Sequence, residues 1–101
     1  MAREIETKCI HLEETEGALN HFGAMAYPIY QSATYAHPGV GQSTGYDYSR
    51  LQNPTREHLE KTVASLENGI DALAFSSGMA AITLMMELFK PGDHLIVDAD
   101  L

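Results

Sequence analysis

The pattern of hydrophobic and polar positions changes near Leu51. Before that residue, apolar positions show little sustained periodicity, and glycine and proline interrupt them repeatedly. This half predicts a short helix around 5–12 and an extended segment over 26–35. Because long stretches without regular structure are uncommon inside a compact domain, we expect residues 1–50 to form an N-terminal arm that packs on something else.

Residues 51–101 carry clearer signals, beginning with a helix. Asn53 is a favourable N-cap residue, and Pro54 suits the first position of a helix. Apolar residues at helical spacing continue as far as Leu66. Gly69 is expected to stop this helix at its C-terminal end.

A second helix is predicted over 79–89. Its residues are apolar on nearly every side, which is typical of a helix that is buried all round. Lys90 stands where a helix C-terminus favours a cation. Pro91 and Gly92 are expected to end the helix.

Two short apolar runs flank this second helix. Residues 72–75 (ALAF) and 95–97 (LIV) are each typical of a buried strand, so strand, helix and strand would form one βαβ unit with parallel strands. Parallel sheets need helices on both faces, and two helices cannot supply that cover. The sequence therefore predicts an α/β fold in which 51–101 is the start of a larger domain, incomplete at Leu101.

Composition and charge narrow the possible functions. Fourteen acidic and six basic residues give a net charge of −8, which repels a phosphate backbone, so nucleic acid is not an expected partner. The sequence has no apolar run of about 20 residues, and we expect no membrane association. A single cysteine, Cys9, cannot form an internal disulfide, which fits a cytoplasmic protein. The histidines lack ligand spacing, so no metal site is predicted.

Two short segments could bind an anion. Ser76-Ser77-Gly78-Met79 joins the first predicted strand to a helix N-terminus, where unpaired N–H groups and the helix dipole favour negative charge. Most such turns merely cap the helix. Tyr48 and Arg50 would point to the same side of an extended segment and offer a phenol and a guanidinium to one phosphate or carboxylate. The commoner alternative is an exposed Tyr/Arg pair on a loop.

At these segments the sequence resembles the pyridoxal 5'-phosphate (PLP)-dependent enzymes of cysteine and methionine metabolism. That family includes cystathionine γ-synthases, cystathionine lyases, methionine γ-lyases and O-acylhomoserine sulfhydrylases. The resemblance covers most of the chain, with one departure at Tyr27, where many relatives carry a second proline. The shared blocks occur in the same order and spacing: Pro28-Ile29-Tyr30-Gln31, Tyr46-Asp47-Tyr48-Ser49-Arg50, Asn53-Pro54-Thr55-Arg56, Leu66-Glu67, Ser76-Ser77-Gly78-Met79 and Gly92-Asp93.

The resemblance implies a three-layer α/β/α large domain of the aspartate aminotransferase-like fold (fold type I), preceded by the arm at a subunit interface. The backbone N–H groups of Gly78 and Met79 would hold the cofactor phosphate. Tyr48 and Arg50 would reach the phosphate bound by a neighbouring subunit, since members of the family form dimers and tetramers with shared active sites. Tyr46 would line the substrate region.

The resemblance also implies where the chemistry lies. PLP acts as an electron sink once a lysine holds it as a Schiff base. In this family that lysine lies beyond Leu101, and none of Lys8, Lys61 and Lys90 matches its context. No catalytic residue is therefore expected in this chain, which by itself would be inactive.

By the same resemblance, the parent enzyme would act on a small amino-acid substrate. It would eliminate or replace the γ or β substituent of a sulfur amino acid or O-acylhomoserine, and the YSR…NPTR stretch favours a cystathionine γ-synthase or γ-lyase type. Methionine γ-lyases and O-acetylhomoserine sulfhydrylases have closely similar stretches. The alternative from another class is a non-catalytic fragment or assembly module that pairs with a full-length relative. An unrelated phosphate-binding α/β module would require every shared block to be coincidence.

Overall fold

The computed structural model describes residues 4–11 and 22–100, and the regular structure within them is helical. Helix α1 spans Ile5–Ile10, α2 spans Pro54–Leu66 and α3 spans Gly78–Met86. Helix α1 lies next to α2. The short N-terminal helix is thus confirmed, although Leu12, its expected end, lies outside the described residues. None of the helices described is long and apolar enough to cross a membrane.

Helix α2 begins where the sequence predicts. Asn53 has an extended backbone, and its side-chain oxygen accepts a hydrogen bond from the Thr55 N–H at 2.9 Å. Pro54 takes the first helical position, where its missing N–H leaves no intrahelical bond unmade. The predicted N-cap is therefore confirmed.

The end of α2 differs in detail from the prediction. The helix stops at Leu66, and Asn68 adopts the left-handed conformation with φ of 54°. The Gly69 N–H then donates to the carbonyl oxygen of Ala64 at 2.8 Å. This pair of features is a Schellman motif, in which asparagine tolerates the positive φ because its short polar side chain hydrogen-bonds locally. Asn68, not Gly69, is thus the left-handed residue that ends the helix.

Helix α3 is shorter than predicted. After Met86 the N–H groups of residues 87–89 bond to carbonyls three positions earlier, at 3.1–3.2 Å, so the last turn tightens and the helix ends. Lys90 lies beyond this end, and the last turn of the helix contains no basic residue. The Asp93 N–H donates to the Lys90 carbonyl at 3.0 Å and Gly92 has φ of 100°, so Pro91 and Gly92 form a separate turn.

The apolar side chains of α3 are not buried, contrary to the prediction. Met79 is 67% exposed, and no residue of this helix is buried. Among the residues that the structure describes, only Pro54 and Ala64 of α2 are buried. A helix becomes buried only when other helices or strands pack against it. Within residues 4–11 and 22–100, no element packs on α3 closely enough to bury any of its residues.

Neither predicted strand is formed in the part of the chain that is described. Residues 72–75 and 95–97 have no strand assignment, and the pairing present is an isolated antiparallel bridge between Thr34 and Tyr48. A strand exists only when its backbone groups bond to a neighbouring strand, and the two apolar runs make no backbone–backbone hydrogen bonds with each other. The βαβ unit is therefore not confirmed.

Candidate functional site: the Tyr48–Arg50 turn and the N-terminus of α3

The Tyr48–Arg50 segment forms a tight turn. The Tyr48 carbonyl accepts hydrogen bonds from the N–H groups of Leu51 and Gln52, both at 3.0 Å. Extended backbone therefore ends at Tyr48. The prediction that an extended segment would place Tyr48 and Arg50 on the same side is wrong about the backbone. The two side chains meet nevertheless, because the Arg50 guanidinium carbon lies 5.0 Å from the centroid of the Tyr48 ring.

The guanidinium of Arg50 keeps its hydrogen-bond donors available. Within residues 4–11 and 22–100 it has no hydrogen bond or ion pair, and its contact is the cation–π contact with Tyr48. Arg50 is exposed to solvent. An arginine held against a ring face still presents its N–H edge, so this pair can receive an anion from solvent or from another chain.

Asn53 connects α2 to the irregular first half of the chain. Its Nδ2 lies 3.0 Å from the Tyr30 carbonyl oxygen, 2.9 Å from Ser49 Oγ and 3.3 Å from the Tyr35 hydroxyl. The Ser49 hydroxyl in turn donates to the Ser32 carbonyl. One amide therefore ties the segment 30–35 to the Tyr48–Arg50 turn, a role that its N-cap prediction did not include.

Arg56 holds the same turn from the first turn of α2. Its Nη1 donates to the Ser49 carbonyl oxygen at 3.2 Å, and its Nη2 donates to the Leu51 carbonyl oxygen at 2.6 Å. Its Nε lies 3.9 Å from a carboxylate oxygen of Glu60. The sequence placed Arg56 in a shared block without assigning it these contacts.

Tyr46 belongs to a separate side-chain network. Its hydroxyl donates to the Glu57 carboxylate. The same carboxylate forms an ion pair with Lys61, with 2.5 Å between Lys61 Nζ and Glu57 Oε1. The pKa of Glu57 is lowered by the hydrogen bond from Lys61 and then by the one from Tyr46. Burial and the adjacent Glu57 carboxylate raise the pKa of Tyr46, so the phenol stays protonated. Sequence reasoning missed Glu57, although its i,i+4 spacing from Lys61 was a usable signal.

The N-terminus of α3 has the features expected of an anion-binding backbone. The Ser77 hydroxyl oxygen accepts from the Ala80 N–H at 3.1 Å, which confirms that this turn caps the helix. The N–H groups of Gly78 and Met79 precede the first intrahelical bonds. A Cβ added at Gly78 would meet nothing within 4 Å, so there is room for a phosphate to approach. The residues present therefore fit a phosphate group at this position.

The structure does not bring the two segments to one cleft. A cleft of about 590 Å³ lies between the turn, α2 and residues 71–75. Arg50 lines this cleft, whereas Gly78 and Met79 do not. The two segments that the sequence predicts to bind an anion thus face different surroundings in the described structure.

His37 and His58 take part in loop and packing contacts. The ring of His58 stacks on Tyr27 with centroids 4.0 Å apart. His37 Nδ1 lies 2.8 Å from the Gln42 carbonyl oxygen, and its Nε2 lies 3.5 Å from a carboxylate oxygen of Asp47. No group of three or more His, Cys, Asp and Glu residues is placed to hold a metal ion within the ranges described.

Comparison with known proteins extends these observations. The profile of the Cys/Met metabolism PLP-dependent enzyme family matches residues 6–101. The chain is 50% identical over all of its 101 residues to a cystathionine gamma-synthase/O-acetylhomoserine (thiol)-lyase of Bacillus subtilis, of which it covers 26%. It is 56% identical over 78 residues, 77% of its length, to a cystathionine gamma-lyase of the same organism, of which it covers 21%.

A solved structure gives the same result. The crystal structure of cystathionine gamma-lyase from Lactobacillus plantarum complexed with L-serine matches with a TM-score of 0.76 and 42% identity, over 91% of this chain and 23% of that one. The chain belongs to the Cys/Met metabolism PLP-dependent enzyme family. It spans about a quarter of the length of the curated relatives given above. Its fold is that of part of these enzymes.

Proposed function

We propose that this chain supplies the N-terminal part of a PLP-dependent enzyme of cystathionine γ-synthase or γ-lyase type. Its substrate would be a sulfur amino acid or O-acylhomoserine, and the reaction would eliminate or replace the γ or β substituent. The observation that carries this proposal is the similarity to the Bacillus subtilis protein along the whole chain. Methionine γ-lyase and O-acetylhomoserine sulfhydrylase activities are the alternatives within the same chemistry.

PLP would be held through its phosphate. When bound, it supplies an electron sink that favours loss of a proton from the carbon next to the amino group. The N–H groups of Gly78 and Met79 would donate to the phosphate, and the dipole of α3 would favour its negative charge. The open space beside Gly78 and the cap made by Ser77 support this assignment.

Tyr48 and Arg50 would donate to the phosphate bound by a neighbouring subunit. Two observations support this: the guanidinium has no hydrogen bond among the described residues, and Arg50 lines a cleft that Gly78 and Met79 do not line. Tyr46 would lie near the substrate. Because its hydroxyl donates to Glu57 and its pKa is raised, we propose that it shapes that region as a neutral phenol rather than as a base.

The proposal includes the organisation of the whole protein. Residues 1–50 would form the arm at a subunit interface of a homodimer or homotetramer, and residues 51–101 would begin the PLP-binding large domain of fold type I with its three α/β/α layers. The strands absent from residues 72–75 and 95–97 would form when other parts of the sheet pair with them. We further propose a cytoplasmic location, on the sequence grounds given above.

The test starts from protein expressed from its complete gene. Its intact mass and its absorbance in the visible band of bound PLP are measured on one sample. Activity is then assayed in two directions, with O-acylhomoserine plus cysteine for replacement and with cystathionine for elimination. We expect a mass well above 11.1 kDa, bound PLP and one dominant reaction.

The contrary outcomes separate the alternatives. A protein of 11.1 kDa without PLP would overturn the catalytic proposal and favour the assembly module, which should then co-purify with a full-length relative. Bound PLP with neither cystathionine reaction, but with activity on methionine or with sulfide and O-acetylhomoserine, would move the assignment to the corresponding alternative. An Arg50→Ala variant with unchanged PLP affinity would overturn the role of Arg50 in phosphate binding.

A further inference from the structure

Arg56 is anchored to the two carbonyl groups that flank Arg50 in the chain. Its two terminal nitrogens donate to the carbonyls of Ser49 and Leu51, one residue on either side of Arg50. We propose that Arg56 is a positioning residue, which fixes the backbone of Arg50 so that its guanidinium is held ready for the cofactor phosphate. The inference rests on the proposed function, since it deepens the role of Arg50.

Other backbone hydrogen bonds also hold the chain around Arg50. The Tyr48 carbonyl accepts the N–H groups of Leu51 and Gln52, and the Ser49 N–H donates to the Ala33 carbonyl at 2.9 Å. Arg56 donates to the carbonyl oxygens of both Ser49 and Leu51. By contrast, the side chain of Arg50 contacts the Tyr48 ring and has no hydrogen bond among the described residues, so the position of its backbone and the contact with that ring are what orient it.

Arg56 itself is not a free anion ligand. Nη1 and Nη2 are engaged by carbonyl oxygens, and Nε is turned towards Glu60 at 3.9 Å. Arg56 is half-buried, whereas Arg50 is exposed. The two arginines therefore have different roles. Arg56 donates to carbonyl oxygens of the protein, and Arg50 keeps its donors exposed to solvent.

An arginine is needed here because of its shape. The planar guanidinium reaches two divergent carbonyls with separate nitrogens, whereas the single nitrogen of lysine cannot occupy both positions. The helix start fixes the base of this fork, since Asn53 caps α2 and Arg56 lies in its first turn. The start of α2 thus positions the guanidinium of Arg56, and through it the backbone of Arg50, before any ligand binds. This arrangement is expected of a preorganised binding site.

The test measures cofactor affinity instead of activity alone. Protein expressed from its complete gene is stripped of cofactor and titrated with PLP and with pyridoxal, which lacks the phosphate. We expect Arg56→Gln to weaken PLP binding about tenfold, the size expected when a charged hydrogen-bonding group loses its orientation. Pyridoxal binding should stay unchanged, because Arg56 acts through a phosphate ligand. Equal weakening of both compounds would indicate a general structural defect and would overturn the inference.

A double-mutant cycle tests whether Arg56 acts through Arg50. In an Arg50→Ala background, Arg56→Gln should cause no further loss of PLP affinity, because coupled residues are not additive. Additive losses would overturn the inference. If Arg50→Ala weakens PLP binding and Arg56→Gln does not, the inference fails while the proposed function stands. If Arg50→Ala has no effect, the proposed role of Arg50 fails, and the inference fails with it.

Two further variants guard against a folding defect. Arg56→Lys keeps the charge and the aliphatic stem but can serve only one carbonyl, so its PLP affinity should fall between those of the wild type and Arg56→Gln. Glu60→Gln removes the charge beside Arg56 and keeps an oxygen for the Ala74 N–H, which now donates to Glu60 at 2.8 Å. This control should retain wild-type affinity for PLP. A loss in Glu60→Gln as large as that in Arg56→Gln would assign the effect to the ion pair and overturn the inference.

Discussion

Residues 27–66 and residues 70–97 are stabilised in contrasting ways. In the first region, polar side chains bond to backbone groups of the same region: Asn53 caps its own helix and reaches Tyr30, and Arg56 holds the Tyr48–Arg50 turn. In the second region, helix α3 and the apolar runs 72–75 and 95–97 have no buried residue, and Ile96 is 90% exposed. The contrast teaches that short polar motifs complete their contacts within one stretch of chain, whereas apolar strands and helices need distant partners.

The largest expected effect tests the apolar region. In protein expressed from its complete gene, Ile96→Ser should lower the free energy of unfolding by about 3 kcal/mol, because we expect the run 95–97 to become a buried strand of the full sheet. Urea unfolding measures this change. Ile70→Ser is the matched control, since Ile70 is fully exposed and lies outside both the proposed arm and the apolar runs, and it should change stability by less than about 0.5 kcal/mol. Equal effects at both positions would mean that residues 95–97 stay exposed.

A smaller effect compares the two helix caps. Asn53→Ala should cost about 2 kcal/mol, because it removes the cap of α2 together with the links to the arm. Ser77→Ala should cost about 1 kcal/mol, because Ser77 makes only its cap bond among the described contacts. Thermal or urea unfolding of both variants measures the difference. Asn53→Asp keeps the oxygen that accepts from the Thr55 N–H, so its stability should lie between those of the wild type and Asn53→Ala. If Asn53→Ala cost no more than Ser77→Ala, the role of Asn53 in linking α2 to the arm would be contradicted.

The smallest effect concerns pH and the Tyr46–Glu57 network. The folded-state pKa of Tyr46 is raised. Its contribution to the free energy of unfolding is therefore complete below the usual tyrosine pKa of 10.0 and is lost as the pH rises through the folded-state pKa. The folded-state pKa of Glu57 is lowered, so its contribution is present above the usual value of 4.5 and is lost as pH falls. Stability measured against pH should therefore fall at both ends.

Tyr46→Phe gives the control for this pH dependence. It removes the titrating phenol, so the alkaline loss of stability should become smaller, while the acidic loss should remain in part because Lys61 still pairs with Glu57. Glu57→Gln should reduce the acidic loss. An unchanged alkaline profile in Tyr46→Phe would show that the phenol does not titrate with the fold.

Local features of the sequence predicted local structure well. The cap at Asn53, the position of Pro54 and the short helix near Ile5 are confirmed because each depends on residues close in sequence. The meeting of Tyr48 and Arg50 was also expected, but for a different reason, since a turn and not an extended strand brings them together. The left-handed conformation of Asn68 was missed because glycine is the usual residue there.

Side-chain contacts that join separate segments were not predicted by these patterns. Three such contacts are the hydrogen bonds from Asn53 to Tyr30, from Arg56 to Leu51 and from Tyr46 to Glu57. The spacing of these residues in the sequence carries no periodic signal. The predicted strands failed for a related reason. Apolar runs indicate a need for burial, but pairing decides whether a strand forms.

The sequence by itself determined the family, the helix starts and the residue types that suit an anion. Those properties reside in motifs whose capping, spacing and donors act over a few residues. Only the tertiary structure decided that Arg50 presents free donors while Arg56 uses its own on the backbone, and that Gly78 and Arg50 face different surroundings. The reason is that hydrogen bonds between distant segments depend on how the chain turns in space, which no single motif specifies.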